Sequence, residues 1–240
     1  MHRWLAALAL ALAALAACGG NSATKQDQGR SIAQAAGLAP DVADFFALAT
    51  KGLTATYRVT ANTKDANGQA LQITTTQRLP DARFDAFHAD GTIDSTFRTT
   101  GHSYQCTMAN NHWDCGELGG TVSSGDVFDN DTVKAAIDRF KDRATDYDFK
   151  VENRTIANVS ARCLVTTRKA GHESDSTLGA SATLCLSPEG VILLVDVPTG
   201  MLTATEYSTT IPDDAFNLPA SPTTTTSSAS TASSAPPASS

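Results

Sequence analysis

Tyr104-Gln105-Cys106-Thr107-Met108-Ala109-Asn110-Asn111-His112-Trp113-Asp114-Cys115 reads as a β-hairpin whose register can be counted outward from its turn. With Asn110-Asn111 as a two-residue turn, Ala109 faces His112, Met108 faces Trp113, Thr107 faces Asp114 and Cys106 faces Cys115. The pair beside the turn is hydrogen-bonded and the pairs then alternate. The two cysteines therefore occupy a non-hydrogen-bonded position, where Cα atoms approach most closely, and a cross-strand disulfide fits that separation. Tyr104, Met108 and Trp113 share the face of the bridge, so this sheet has one apolar side.

The alternation extends upstream. Arg83 to Ala89 and Thr92 to Thr99 flank Asp90-Gly91, a two-residue hairpin signal that sets Phe84 opposite Phe97 and His88 opposite Ile93. His88 reads as a solvated sheet residue rather than a metal ligand. Before it, Ala70 to Gln77 forms a strand with Leu71 and Ile73 inward, closed by Pro80-Asp81. At Leu53 the period switches to two, with Leu53, Ala55, Tyr57 and Val59 on one face. Upstream of Leu53 the period is helical: Ser31 caps a short helix carrying Ile32, Ala35 and Ala36. Pro40 opens a second helix with the stripe Val42, Phe45, Phe46 and Leu48, ended by Gly52.

Downstream, Gly119, Gly120 and Gly125 precede one internal helix, Thr132 to Arg143, striped by Val133, Ala136, Ile137 and Phe140. Asp129, Asn130 and Asp131 stand where a helix N-terminus favours caps, and they lack the alternation of a calcium loop. Strand pattern then runs from Tyr147 through Phe149, Val151, Ile156 and Val159 to Cys163 and Val165. After a polar loop it returns at Ala182 to Leu186, placing Cys163 opposite Cys185, the two cysteines left over. Ser187-Pro188-Glu189-Gly190 makes a type I turn into the apolar strand Val191 to Val197, expected to lie under helix 132–143. Leu202 to Ser208 is the last strand.

The ends of the chain carry its address. His2 and Arg3, an apolar run from Trp4 to Leu15, and Leu15-Ala16-Ala17-Cys18 read as a lipoprotein signal peptide over residues 1–17, cut so that an acylated Cys18 becomes the first residue. Residues 18–30 are small or polar and are expected to form a flexible tether. Residues 31–219 then form one β-rich domain. Residues 220–240 contain only Ser, Thr, Ala and Pro, a disordered tail of the kind that carries glycans or threads a cell wall. Losing Arg3 with the signal leaves 17 basic against 25 acidic side chains, a formal charge of −8. Such a chain offers no polybasic surface to nucleic acid, so membrane contact falls to the acyl anchor. An even set of four further cysteines suits an oxidising compartment and two disulfides.

The lipobox, the helical lead-in, Thr54-Ala55-Thr56-Tyr57-Arg58-Val59 and the long meander interrupted by one helix carry a resemblance. With Leu184-Cys185-Leu186-Ser187-Pro188-Glu189-Gly190-Val191, and Leu202-Thr203-Ala204-Thr205-Glu206-Tyr207 before Phe216-Asn217-Leu218-Pro219, the chain resembles the LolA-like envelope lipoproteins over about residues 40 to 219. That group includes periplasmic lipoprotein carriers and actinobacterial lipoproteins that bind acylated lipids. The resemblance implies a mainly β (α+β) fold, an antiparallel unclosed half-barrel with N-terminal helices and one internal helix packed on its concave side. It also implies an apolar ligand-lining wall, for which the candidates are Tyr57, Val59, Ile73, Phe84, Phe97, Met108, Trp113, Ile137, Phe140 and Val195. A retained anchor, a long tail and two disulfides fit a tethered carrier better than a shuttle between membranes.

Enzyme chemistry finds no support. There is no Gly-x-Ser-x-Gly elbow, no phosphate-binding glycine loop and no zinc helix, and His88, His102, His112 and His172 are scattered. Ser22 and Lys25 have Ser-x-x-Lys spacing without the companion motifs of that class. No cofactor and no metal are expected. Two functions stay open: a module binding lipid or another apolar ligand, and a non-catalytic structural or protein-interaction module with a filled core. A cavity separates them.

Overall fold

Asn110 and Asn111 both take positive φ, 52° and 60°, which asparagine tolerates and a type I′ turn requires. The strands they join pair as counted, Ala109 with His112 through Cys106 with Cys115. The computed structural model describes residues 22–35, 37–118, 141–172 and 178–223. Outside these lie the signal peptide and Cys18, the tail beyond Thr223, and the internal helix with Ile137 and Phe140 except for its helical end at residues 141–143.

Two helices, α1 (Ser22–Ala35) and α2 (Pro40–Gly52), lead into eleven strands: β1 (Tyr57–Lys64), β2 (Ala70–Arg78), β3 (Asp81–His88), β4 (Ile93–Thr99), β5 (His102–Ala109), β6 (His112–Glu117), β7 (Tyr147–Ile156), β8 (Val159–Arg168), β9 (Ser181–Leu186), β10 (Ile192–Val197) and β11 (Gly200–Ser208). They form one antiparallel sheet in the order β6-β5-β4-β3-β2-β1-β11-β10-β9-β8-β7. Every strand lies beside its sequence neighbours except at one place, since β1 pairs with β11 while β6 and β7 stand at opposite edges. The fold is an up-and-down barrel cut open between β6 and β7, the unclosed half-barrel expected from the sequence.

Helix α1 stands in place of the expected flexible tether over residues 22–30. It starts at Ser22, nine residues before the expected cap at Ser31. The contact that orders it involves small residues, which a search for large apolar side chains passes over. A Cβ on Gly29 would stand 3.0 Å from Thr50 Cγ2 of α2, and Ala33 and Ala43 pack with no exposure at all. Arg30 Nε donates to Asp44 Oδ1 at 2.7 Å across the same seam. Helix α2 in turn ends against the Ser187–Gly190 turn. A Cβ on Gly52 would meet the Gly190 carbonyl oxygen at 2.2 Å, and one on Gly190 would meet the Leu48 carbonyl oxygen at 2.0 Å, so both positions exclude a side chain.

Two strand readings change. First, β3 and β4 pair with Arg83 opposite Phe97, Phe84 opposite Thr96 and Phe87 opposite Ile93, one residue away from the expected register. The turn is a three-residue loop: Gly91 N–H donates to His88 O, His88 N–H to Thr92 O, and Gly91 takes φ 85° in the left-handed position of a G1 bulge. A slip of one residue moves every side chain to the other face. Phe97 is therefore 1% exposed while Phe84, on the opposite side, is 42% exposed. Second, the pattern from Tyr147 to Val165 is two strands, folded at Ala157-Asn158, which take φ 48° and 62°. Alanine seldom adopts that conformation and so gave no turn signal.

Both disulfides form, Cys106–Cys115 with Cα atoms 4.1 Å apart and Cys163–Cys185 with Cα atoms 3.9 Å apart. Because directly paired residues share a face, the ladders place both bridges on one side of the sheet, called the disulfide face. The other side is the helix face. There Val42 and Phe45 of α2 pack on Leu164 and Leu186, with Phe149, Val151, Leu184 and Ile192 around them. The partner of Ile192 in β10 is thus α2.

Candidate functional site

The disulfide face of β1–β6 carries three rows of side chains in register. Reading from β2 to β6, the first is Gln72, Phe87, Ile93, Met108 and Trp113. The second runs Thr74, Asp85, Ser95, Cys106, Cys115, and the third Thr76, Arg83, Phe97, Tyr104, Glu117. Apolar groups gather toward β6, and polar groups toward the centre of the sheet. Phe87, Ile93, Met108 and Trp113 are each only half-buried, so this edge of the face is not closed like an ordinary interior.

The polar end is tightly wired. Asp85, 4% exposed, accepts from Ser95 Oγ at 2.6 Å and from Arg83 Nε at 2.8 Å. The Arg83 guanidinium also lies over the Phe97 ring, 4.7 Å from its centroid. Next to it Thr60 and Thr74 hydroxyls meet at 3.2 Å. At β1 and β11 a shallow, open groove of about 490 Å³ is bordered by Arg58, Thr60, Glu206, Ser208 and by Thr210 to Pro212. Arg58 and Glu206 are both exposed there and give the groove one charge of each sign.

Residues 209–223 form a strap from this groove to the β6 edge. Arg78 pairs with Asp213 at 3.6 Å and covers the Phe216 ring, and Arg83 Nη1 donates to the Ala215 carbonyl at 3.1 Å. Leu218 and Ala220 pack on the cluster of Phe97, Cys106 and Cys115, beside Tyr104 and Trp113. Thr223 N–H then donates to Cys115 O at 2.8 Å, making a single parallel bridge with Gly116 on the β6 edge. Ordered structure thus continues to Thr223, four residues into the stretch expected to be disordered.

The expected lining residues divide between the faces. Phe97, Met108 and Trp113 belong to the rows just described, whereas Tyr57, Val59, Ile73, Phe84 and Val195 lie on the helix face. No one wall holds them all. The one-residue register difference brings Phe87 onto this face beside Ile93 and removes Phe84 from it, since Asp90-Gly91 also suits the longer bulged loop. Leu218 reaches the face from outside the strands, where no alternation marks it. The Asp85, Ser95 and Arg83 cluster lies on the inner strands β3 and β4, and Glu117 ends the third row at the β6 edge.

A separate buried network surrounds the Ser187 turn. Ser187 Oγ accepts from the Glu189 and Val191 N–H groups, and the Tyr207 hydroxyl donates to Glu189. Burial, then that hydrogen bond to Glu189, raises the Tyr207 pKa well above its ordinary value, and burial pushes the Tyr57 phenol up to about 12. The network joins β11 to the turn that receives α2. His88, His102 and His172 each meet one carboxylate, Asp94, Glu117 and Asp146, at 2.7–3.0 Å. Among the described residues, no group of three or more His, Cys, Asp or Glu is placed to hold a metal ion.

No protein-family model and no curated protein sequence matches the chain. Among solved structures it is similar to an uncharacterized conserved protein from Thermus thermophilus, at 12% identity and a TM-score of 0.40 over 72% of this chain and 90% of that one. It is similar to the Mycobacterium tuberculosis lipoprotein LppX, at 14% identity and a TM-score of 0.35 over 68% and 91%. MucB, solved in complex with MucA(peri), matches at 15% identity and a TM-score of 0.33 over 69% of this chain, which spans 55% of MucB.

Proposed function

We propose that this chain is a non-catalytic lipoprotein of the cell envelope, tethered through acylated Cys18, that binds an acyl lipid along the disulfide face of β1–β6. The half-buried row Phe87, Ile93, Met108 and Trp113 carries this reading. Four large apolar side chains in one line suit an aliphatic chain, and Arg58 and Glu206 at the polar end suit a headgroup. Cys18→Ser is expected to move the mature protein from the membrane to the soluble fraction, since each buried acyl CH₂ contributes about 0.8 kcal/mol of anchoring.

The soluble Cys18→Ser form, residues 18–240, is the material for the test. Native mass spectrometry should find a substoichiometric lipid on it. Met108→Asp should remove that added mass and keep the circular dichroism spectrum, because a charge on a half-buried face repels an acyl chain without opening the core. A folded protein that neither carries lipid nor takes up added fatty acid sinks the proposal. A second function, a protein-interaction module, would then lead. It draws on the helix face, where Phe45, 1% exposed, and Leu186, 1% exposed, fill the space between α2 and the sheet.

A further inference from the structure

We infer that the strap, residues 209–223, is a displaceable occupant of the lipid-binding face, competing with the acyl chain for it. The inference rests on the lipid proposal and adds how that site is regulated.

The strap follows the path an amphiphile would take. Its first residues, Thr210 to Pro212, border the polar groove with Arg58 and Glu206, and its far end, Leu218 to Thr223, lies on the Cys106–Cys115 bridge beside Trp113. Between them it crosses from β1 to β6, five inter-strand steps or roughly 24 Å. Its apolar side chains Leu218 and Ala220 pack on the bridge cluster that also holds Trp113, the end of the row assigned to the lipid tail, and Asp213 answers Arg78 as a headgroup phosphate would.

It is also held lightly. None of residues 209–223 is buried. Among the described residues, the backbone of its far end is fixed to the sheet at Cys115 O, and the ion pair Arg78–Asp213 is exposed, with an Asp213 side chain entirely in solvent. A segment with few buried contacts and solvent-exposed hydrogen bonds opens at low free-energy cost. A helix of the α2 kind, which buries Phe45 fully, has no such freedom. Displacement would uncover the Cys106–Cys115 bridge and the side of Phe97 that Arg83 does not cover, widening the half-buried first row where it reaches Met108 and Trp113.

The test uses the full mature chain with Cys18→Ser and a dansyl fatty acid as probe. Leu218→Ser with Thr223→Pro removes the apolar contact and the edge hydrogen bond, both at partly or fully exposed positions. Loosening the strap should tighten probe binding about five- to tenfold, because the apparent Kd scales inversely with the fraction of open molecules. In the unsubstituted strap, hydrogen exchange over residues 209–223 should rise when the probe saturates the protein, while β3–β6 gain protection. That second measurement needs no variant to fold. Equal Kd values for both proteins, or strap exchange unchanged by saturating probe, overturn the competition and leave the lipid proposal standing. Binding by neither protein overturns the lipid proposal and this inference together.

Discussion

The two ends of the sheet solve the same problem differently. Each holds a hairpin pair stapled by a disulfide on the same face. At the β7–β10 end, α2 drives Phe45 between Leu164 and Leu186, and the outermost strand is fenced by charge: Glu152 meets both Lys150 and Arg154. Those partners, the Arg154 hydrogen bond first, hold the Glu152 carboxyl below its ordinary pKa. A charged edge resists pairing with other chains. At the β3–β6 end no helix among the described residues covers the disulfide face, and the short β6 strand is finished by one bridge from Thr223. The first end is closed by a helix; the second leaves half-buried apolar side chains on the face to which lipid binding is proposed.

The sharpest way to break that comparison is to empty each end. Phe45→Ala should cost about 3–5 kcal/mol in denaturant unfolding, through lost burial and a cavity, whereas Phe87→Ala on the open row should cost about 1 kcal/mol. Equal losses would make both ends cores.

The bridges come next. Loop-closure entropy assigns about 3.5 kcal/mol to Cys163–Cys185, whose cysteines are 22 residues apart, and about 2.5 kcal/mol to Cys106–Cys115, 9 residues apart. Double Cys→Ala variants measured by thermal unfolding should rank in that order. A reversed ranking would mean that the β5–β6 hairpin holds more of the stability than its half-open face implies.

Alkali should act through the tyrosines packed near the α2 docking turn. The unfolded Tyr57 phenol loses its proton near 10.0, the folded one near about 12, so the folded state binds more protons between those values. Stability is full below pH 10 and falls as pH rises toward 12. Denaturant midpoints on either side of pH 10 check the sign, and a midpoint that rises with pH would contradict the burial of Tyr57.

The smallest effect tests the register itself. Phe84→Ser should change stability by no more than about 0.5 kcal/mol and leave probe binding untouched, since Phe84 lies on the helix face and is 42% exposed. A marked loss of binding would restore Phe84 to the lining wall and undo the separation of the two faces.

Short-range chemistry was legible in the residues alone. Asn110-Asn111 dictated its turn, the turn dictated the Cys106–Cys115 pairing, and period-two alternation announced most of the strands, because each depends on neighbours a few positions apart. The mainly β half-barrel followed from those pieces and from a family resemblance. The tertiary structure decided what depends on distant partners. Gly29 and Ala33 extend α1 only because α2 lies against them, and Ala157-Asn158 turns because β7 and β8 pair along ten residues. It decided the faces as well: Asp90-Gly91 is compatible with two loop lengths, and only the packing of Phe97 under Arg83 and against the bridge selects the one that turns Phe84 outward. A sheet's side-chain period is two, so a single residue in one turn reassigns a whole wall, and composition and spacing carry no record of which choice was made.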